Sequence, residues 1–184
     1  MALERELVQF CAPTLAGLKT GSVFSAAYES EEELRAAIRS LNRRLRDKGL
    51  RLLLLRLSRS KKRALIYLCR PGRLHRDLRD GAAESILGDC GYCCGDCARC
   101  IARLSRRLRA GEGFPHEIGL FLGYPPEDVR GFMNEREPTC VGEWKAYGDA
   151  AAAQETFSRH KKCTRIYCEQ WARGKNLERL AVAG

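Results

Sequence analysis

Between Ser30 and Cys69 the chain spells out a capped helix, a stop and two strands, and this run limits the possible folds more than any other. Ser30-Glu-Glu-Glu33 is a capping box, in which the serine oxygen accepts from a free backbone N–H and Glu33 reaches back. Leu34, Ile38, Leu41 and Leu45 then recur at i, i+4, i+7 and i+11, the stripe of an amphipathic helix reaching about Lys48, and Gly49 stops it. Leu50–Leu57 and Ala64–Cys69 are strand-length apolar runs. The basic turn Ser58-Arg-Ser-Lys-Lys-Arg63 joins them into a β-hairpin. A helix and a hairpin that each carry one apolar face must cover one another, which predicts an α+β fold.

The rest of the chain adds mainly helices. Residues 11–22 read as a short helix or turn from Pro13 to Gly21, and Val23–Ala26 as a further strand. Pro71-Gly72 breaks the second strand of the hairpin, after which Leu74, Leu78, Ala82 and Ile86 continue as helix. Asp96 is a good N-cap for a helix with Cys97, Ile101, Leu104 and Leu108 as its buried stripe. Phe114-Pro115 opens another helix with proline at its first position, closed by Gly123, and Pro126 opens a short one to about Met133. Cys140–Tyr147 alternates like a strand. Ala150–Ala172 is a long helix with Phe157, Ile166, Tyr167 and Trp171 on its apolar side. There is no internal repeat, linker or low-complexity segment. The expectation is a mainly helical single domain over residues 1–184, with a small antiparallel sheet made of the hairpin plus one or two strands. A chain of 184 residues can bury enough surface to fold without a disulfide or a metal.

Charge and cysteine content narrow the setting. The first seven residues carry both signs of charge and do not form a signal peptide. The longest apolar run, Leu52–Leu55, is far too short for a membrane helix. No membrane is expected, and the cytoplasm is the expected compartment, where ten cysteines favour metal or thiol chemistry over disulfides. The formal net charge is +10. Arg99, Arg103, Arg106, Arg107 and Arg109 lie opposite an apolar stripe, and Arg59, Lys61, Lys62 and Arg63 sit on the hairpin turn. They could engage a polyanion, but no aromatic residues interleave with them for base stacking. A solvated basic face is preferred, and nucleic acid is not the favoured partner.

Five of the ten cysteines fall in the run Cys90-Gly-Tyr-Cys93-Cys94-Gly-Asp-Cys97-Ala-Arg-Cys100. Cys94-x2-Cys97-x2-Cys100 matches the first three ligands of a ferredoxin-type iron–sulfur run, without the Cys-Pro that completes it. The pair Cys90-x2-Cys93 equally allows a four-thiolate zinc site. The same cysteines can exchange electrons, or fill a helix face as small hydrophobes. These readings stay open, with an iron–sulfur cluster or zinc as the candidate cofactors.

Two other stretches invite chemistry. Cys11 precedes an apparent helix start, where free N–H groups favour a thiolate, and His116-Glu117 lies in the first turn of another helix. With only three histidines in the chain, Cys11 and His116 are candidates for a nucleophile–base pair, with Lys19 and Glu117 beside them. Ile118-Gly119 to Met133 has the small residue, turn glycine and Val129 of a helix-turn-helix. Glu127, Asp128, Glu135 and Glu137 outweigh Arg130 and Arg136, so the expectation there is a packed helical hairpin and not a DNA reader. Leu18-Lys-Thr-Gly-Ser22 lacks the upstream glycine of a phosphate loop.

Three stretches together carry a family resemblance. They are Cys11-Ala-Pro-Thr-Leu-Ala-Gly-Leu-Lys-Thr-Gly-Ser22, Phe114-Pro-His-Glu-Ile-Gly-Leu-Phe-Leu-Gly-Tyr-Pro125 and Cys140-Val-Gly-Glu-Trp-Lys-Ala-Tyr147. The chain resembles, nearly end to end, a bacterial family catalogued as domain of unknown function 3793, seen largely in anaerobes such as clostridia. The resemblance implies a single-domain cytoplasmic protein from an anaerobe and implies no activity. It suggests that Cys11, Lys19, His116, Glu117, Cys140, Trp144, Lys145 and Tyr147 belong to shared motifs, with the last four lining a cofactor pocket. The cysteines at 90, 93, 94 and 97 depart from the usual pattern. The leading functional expectation is a thiol-rich metal or redox protein. The alternatives are a Cys11–His116 thiol enzyme and a polyanion-binding module.

Overall fold

The computed structural model describes residues 2–93, 95–111 and 113–184, which form two compact units: residues 2–72 with 163–184, and the described residues between 73 and 162. Helices and small antiparallel sheets make up the α+β architecture that the sequence predicts.

In the first unit, helix α1 (Ala2–Leu15) is followed by strand β1 (Gly21–Ala27), helix α2 (Glu31–Leu45), and strands β2 (Arg51–Ser58) and β3 (Arg63–Cys69). The strands pair antiparallel in the order β1-β3-β2, with Gly21 opposite Cys69 and Arg51 opposite Cys69 on the other side. Register shifts between Leu54 and Arg56, a bulge in β2. It turns Leu55 into a buried position three residues after buried Leu52, where strict alternation would have exposed it. Ser30 caps α2 by accepting from the Glu33 N–H, and Gly49 closes the following 3-10 turn in the left-handed region, at φ 67°. Asn42 of α2 donates to the Leu52 carbonyl at 2.9 Å and accepts from its N–H at 2.7 Å, covering an edge that would otherwise invite another strand. The core joins the apolar faces of α1 and α2 to one face of the sheet, and Leu177 and Leu180 of a last short helix complete it.

Two details of this unit depart from the sequence-based expectation. The first helix begins at Ala2, and Pro13 lies inside it. Only the hydrogen bond to the Gln9 carbonyl is lost there, and Gln9 is exposed to water. Below that helix end, Arg70 is buried. Its guanidinium donates to the carbonyls of Thr14, Leu15 and Val182, each at 2.8 Å, and to that of Lys48 at 3.3 Å. Thr14 and Leu15 carry carbonyls that the end of a helix leaves without an i+4 helical donor, and the N–H groups of Gly17 and Val182 meet them as well. One planar donor fork therefore closes α1 and ties down the chain terminus.

In the second unit, helix α3 (Pro71–Leu78) leads into α4 (Gly81–Asp89), α5 (Cys97–Ala110), α6 (Ile118–Leu122) and α7 (Pro126–Met133). The two-residue strands β4 (Cys140–Val141) and β5 (Lys145–Ala146) follow, then helix α8 (Ala150–Ala172), whose later part belongs to the first unit. Three expectations are corrected here. The helix through Leu74 and Ile86 is two helices, because the Asp80 carboxylate accepts from the N–H groups of Ala82 and Ala83 and starts a new one. The helix at Phe114-Pro115 starts only at Ile118. Cys140–Tyr147 is a small hairpin, not one strand, because the chain reverses at residues 142–144. On α5 the buried stripe is Cys100, Leu104 and Leu108, with Ile101 at its margin.

The hairpin of α6 and α7 packs closely. A Cβ added at Gly119 would stand 2.7 Å from Val129 Cγ2, so only glycine fits the crossing. Part of the basic charge on α5 is engaged within the fold. Arg103 donates to the Cys90 carbonyl at 3.1 Å, and Arg107 pairs with Glu117 at 2.9 Å. Among the described residues, no helix is long and apolar enough to cross a membrane.

Candidate functional site

The short hairpin β4–β5 faces the α6–α7 pair, and one carboxylate fastens it there. Asp128, third residue of α7 and buried, accepts the Trp144 indole N–H at 2.7 Å, the Tyr147 N–H at 2.6 Å and the Gly148 N–H at 3.2 Å. Three donors on one buried acid fix both the strand and the indole in place. The Trp144 ring stacks on Tyr124 with centroids 4.5 Å apart, and meets the Phe157 ring edge-on at 4.5 Å. Gly142 gives Phe157 its room, since a side chain there would run into that ring.

This framework leaves an open chamber of about 430 Å³. Its walls are almost wholly apolar, formed by Phe114, Leu122, Val129, Phe132, Val141 and Trp144, with His116, Asp128 and Lys145 as its polar or charged groups. Phe114, Phe132 and Val141 are 55%, 39% and 68% exposed, so the molecule shows water an unusual amount of large apolar surface at one place. His116 sets its imidazole edge against the Phe132 ring at 4.9 Å, and the Lys145 ammonium lies 5.6 Å from the same ring centre. A second cavity of about 340 Å³ adjoins the first. His116, Phe132 and Lys145 line both, and Arg136, Glu135, Glu137 and Tyr147 add a polar wall to the second.

Of the residues singled out in the sequence, His116, Trp144, Lys145 and Tyr147 therefore meet around these two cavities. Cys140 is half-buried at the start of the hairpin and lines neither. Glu117 turns inward instead. It is 2% exposed, accepts from the Tyr92 hydroxyl at 2.7 Å and pairs with Arg107, so its carboxylate holds α5 and the α6 entry together. Burial and this hydrogen bond push the Tyr92 phenol well above its ordinary range.

Cys11 and Lys19 belong to the first unit. Cys11 has no exposed surface, and burial pushes its thiol upward, only partly opposed by the nearby Lys19 charge and by a hydrogen bond with Ser22. The Ser22 hydroxyl also lies 2.8 Å from that of Thr14. Cys11 is thus a protonated core thiol. Its place at the helix end does not expose it, because the helix runs on through it from Ala2.

The cysteine run lies between α4 and α5. Cys90 and Cys97 are half-buried, Cys93 is exposed and Cys100 is buried, all as free thiols; Cys94 lies outside the described residues. Cys97 Sγ is 3.7 Å from His75 Nδ1, and Cys100 Sγ is 3.7 Å from the Cys93 carbonyl. Burial and the Asp96 charge raise the Cys97 thiol, and burial and Glu117 raise that of Cys90. Among the described residues, no group of three or more His, Cys, Asp or Glu side chains is arranged to hold a metal ion.

The apolar walls of the chamber are what sequence reading missed. Phe114 and Tyr124 lie in a stretch that carries the family resemblance, and Phe132 lies in the helical hairpin, but none of the three was singled out as a site residue. Asp128 read as an ordinary acid in a first helical turn, where any Asp or Glu is favourable. Its three donors arrive from residues 144–148, and no periodicity reveals them.

No curated protein and no solved structure matches the chain. A family model described as "Protein of unknown function (DUF3793)" matches residues 7–181.

Proposed function

The chain belongs to the DUF3793 family of proteins of unknown function, and from its geometry we propose that it binds a small molecule whose apolar body occupies the chamber beside Trp144. The observation that carries this reading is the chamber itself. It is about 430 Å³, within the range of small-molecule sites, almost wholly apolar, and bordered by a few convergent polar groups. Two of the three segments that carry the family resemblance, residues 114–125 and 140–147, supply most of its wall. A small-ligand site explains why aromatic rings stay exposed here at a cost in solvation.

An uncharged naphthylamine dye tests it. In a Trp171→Phe background, Trp144 is the remaining tryptophan and should transfer its emission to the bound dye. Phe132→Ala should weaken binding by about tenfold, the loss of roughly one aromatic contact and its buried area. Dye binding that Phe132→Ala leaves untouched would sink the reading.

A thiol-rich metal or redox protein is the second reading, and one observation favours it. Cys97 Sγ and His75 Nδ1 are 3.7 Å apart, a soft pair that can share a proton or ligate zinc. The free thiols of the nine described cysteines suit a reducing compartment such as the cytoplasm. About one equivalent of zinc or iron per chain after anaerobic purification, lost in Cys97→Ser, is the expected result. Metal-free protein would end this reading.

A further inference from the structure

The two adjoining cavities differ in character, and the residues they share say what a ligand spanning them must carry. We infer that the ligand is an amphipathic organic monoanion, with its apolar body in the chamber beside Trp144 and one carboxylate or phosphodiester group at Lys145. The inference rests on the small-ligand reading of that chamber and names the class of ligand.

Lys145 carries the argument. It lines both cavities, and its ammonium makes no ion pair among the described residues and lies over the Phe132 ring. A cation at the border of an apolar chamber attracts an anion more strongly than a cation in open water, because the neighbouring low-dielectric wall screens it less. His116 lines both cavities beside it and can donate a further hydrogen bond. Asp128 is the acid of the first chamber, and its oxygens are engaged by the three N–H donors of residues 144, 147 and 148. It therefore offers an incoming ligand cation little to bind.

The number of charges follows from the second cavity. Arg136 stands there between Glu135 and Glu137, so these three residues give that wall a net negative charge. A polyphosphate extending past Lys145 would meet the two glutamates, and their repulsion limits the ligand to a single anionic group near the shared wall. The apolar walls in turn need a body of several carbons, so inorganic phosphate alone should not bind.

Three probes with one body separate the terms: 2-naphthoate, 2-naphthamide and 2-naphthylmethylammonium, titrated against the full chain by calorimetry. Naphthoate should bind about tenfold tighter than the amide, as expected for one charge-assisted hydrogen bond, and the ammonium should bind weakest. Lys145→Met should reduce the naphthoate-to-amide ratio to about one, and Lys145→Arg should keep the preference. Equal binding of all three probes, or a preference that survives Lys145→Met, overturns the inference but leaves the small-ligand reading standing. Binding of none of the three overturns both.

Discussion

Arg70→Met is expected to destabilise the first unit by about 3–6 kcal/mol, enough to unfold many domains of this size. The methionine side chain fills much of the space but donates nothing. The carbonyls of Thr14, Leu15 and Val182 would each lose a charged donor at 2.8 Å. A hydrogen bond to a charged donor is worth about 1.5–3 kcal/mol, so losing several at once is costly even though the Thr14 and Leu15 carbonyls keep the N–H groups of Gly17 and Val182. Arg70→Lys should recover only part of the loss, because one ammonium cannot span carbonyls arranged around a planar fork. Urea unfolding followed by circular dichroism measures both variants. A midpoint for Arg70→Met that corresponds to less than about 1 kcal/mol of change would show that the chain relaxes around the lost fork.

Asp128→Asn has the second largest expected effect and bears on the site directly. The substitution keeps the shape and removes the charge. The amide oxygen can still accept from the Tyr147 and Gly148 N–H groups, but its NH2 then faces the Trp144 indole N–H, donor against donor. The expected cost is about 2–4 kcal/mol, since a hydrogen bond to a charged group is lost and a buried donor is left over. Trp144 should loosen from its stack on Tyr124 and shift its emission to the red, and, on the small-ligand reading proposed above, dye affinity should fall. Native-like melting with unchanged tryptophan emission in Asp128→Asn would mean that ring packing, not the carboxylate, positions the indole.

These two side chains also mark where sequence reading stops. Ser30, Glu33 and the leucine stripe of α2 could be read directly, because capping and helical periodicity act over four residues or fewer. The hairpin β2–β3 was legible for the same reason, and so was the close crossing of Gly119 on Val129, ten residues apart in a tight helical hairpin. Local rules also misled where two of them competed. Pro13 suggested a helix start, but the apolar positions Leu3, Leu7, Cys11 and Leu15 belong to the core and carry the helix through the proline. The spacing of Leu74 to Ile86 suggested one helix, and the Asp80 cap divides it.

The candidate site was legible in part. His116, Trp144, Lys145 and Tyr147 were named from motif resemblance, and they do gather around the two cavities. Glu117 sits next to His116 in sequence, yet it faces the opposite way, because the turn before α6 points adjacent side chains to different sides and Arg107 draws the carboxylate inward. Adjacency in a motif does not set direction.

By itself, then, the amino-acid sequence determined the elements whose causes are local: the caps, the amphipathic stripes, the basic hairpin turn and the α+β class that follows from them. Tertiary structure alone decided which polar groups are used up inside the fold and which remain for a ligand. Arg70 meets carbonyls from residues 14, 15, 48 and 182, and Asp128 meets donors up to twenty positions away. A buried charge must find its partners wherever the folded chain places them, and that placement depends on packing between elements that no short window of sequence contains. The same packing leaves Lys145, with no ion pair among the described residues, at the edge of an apolar chamber, and on that the proposed ligand charge depends.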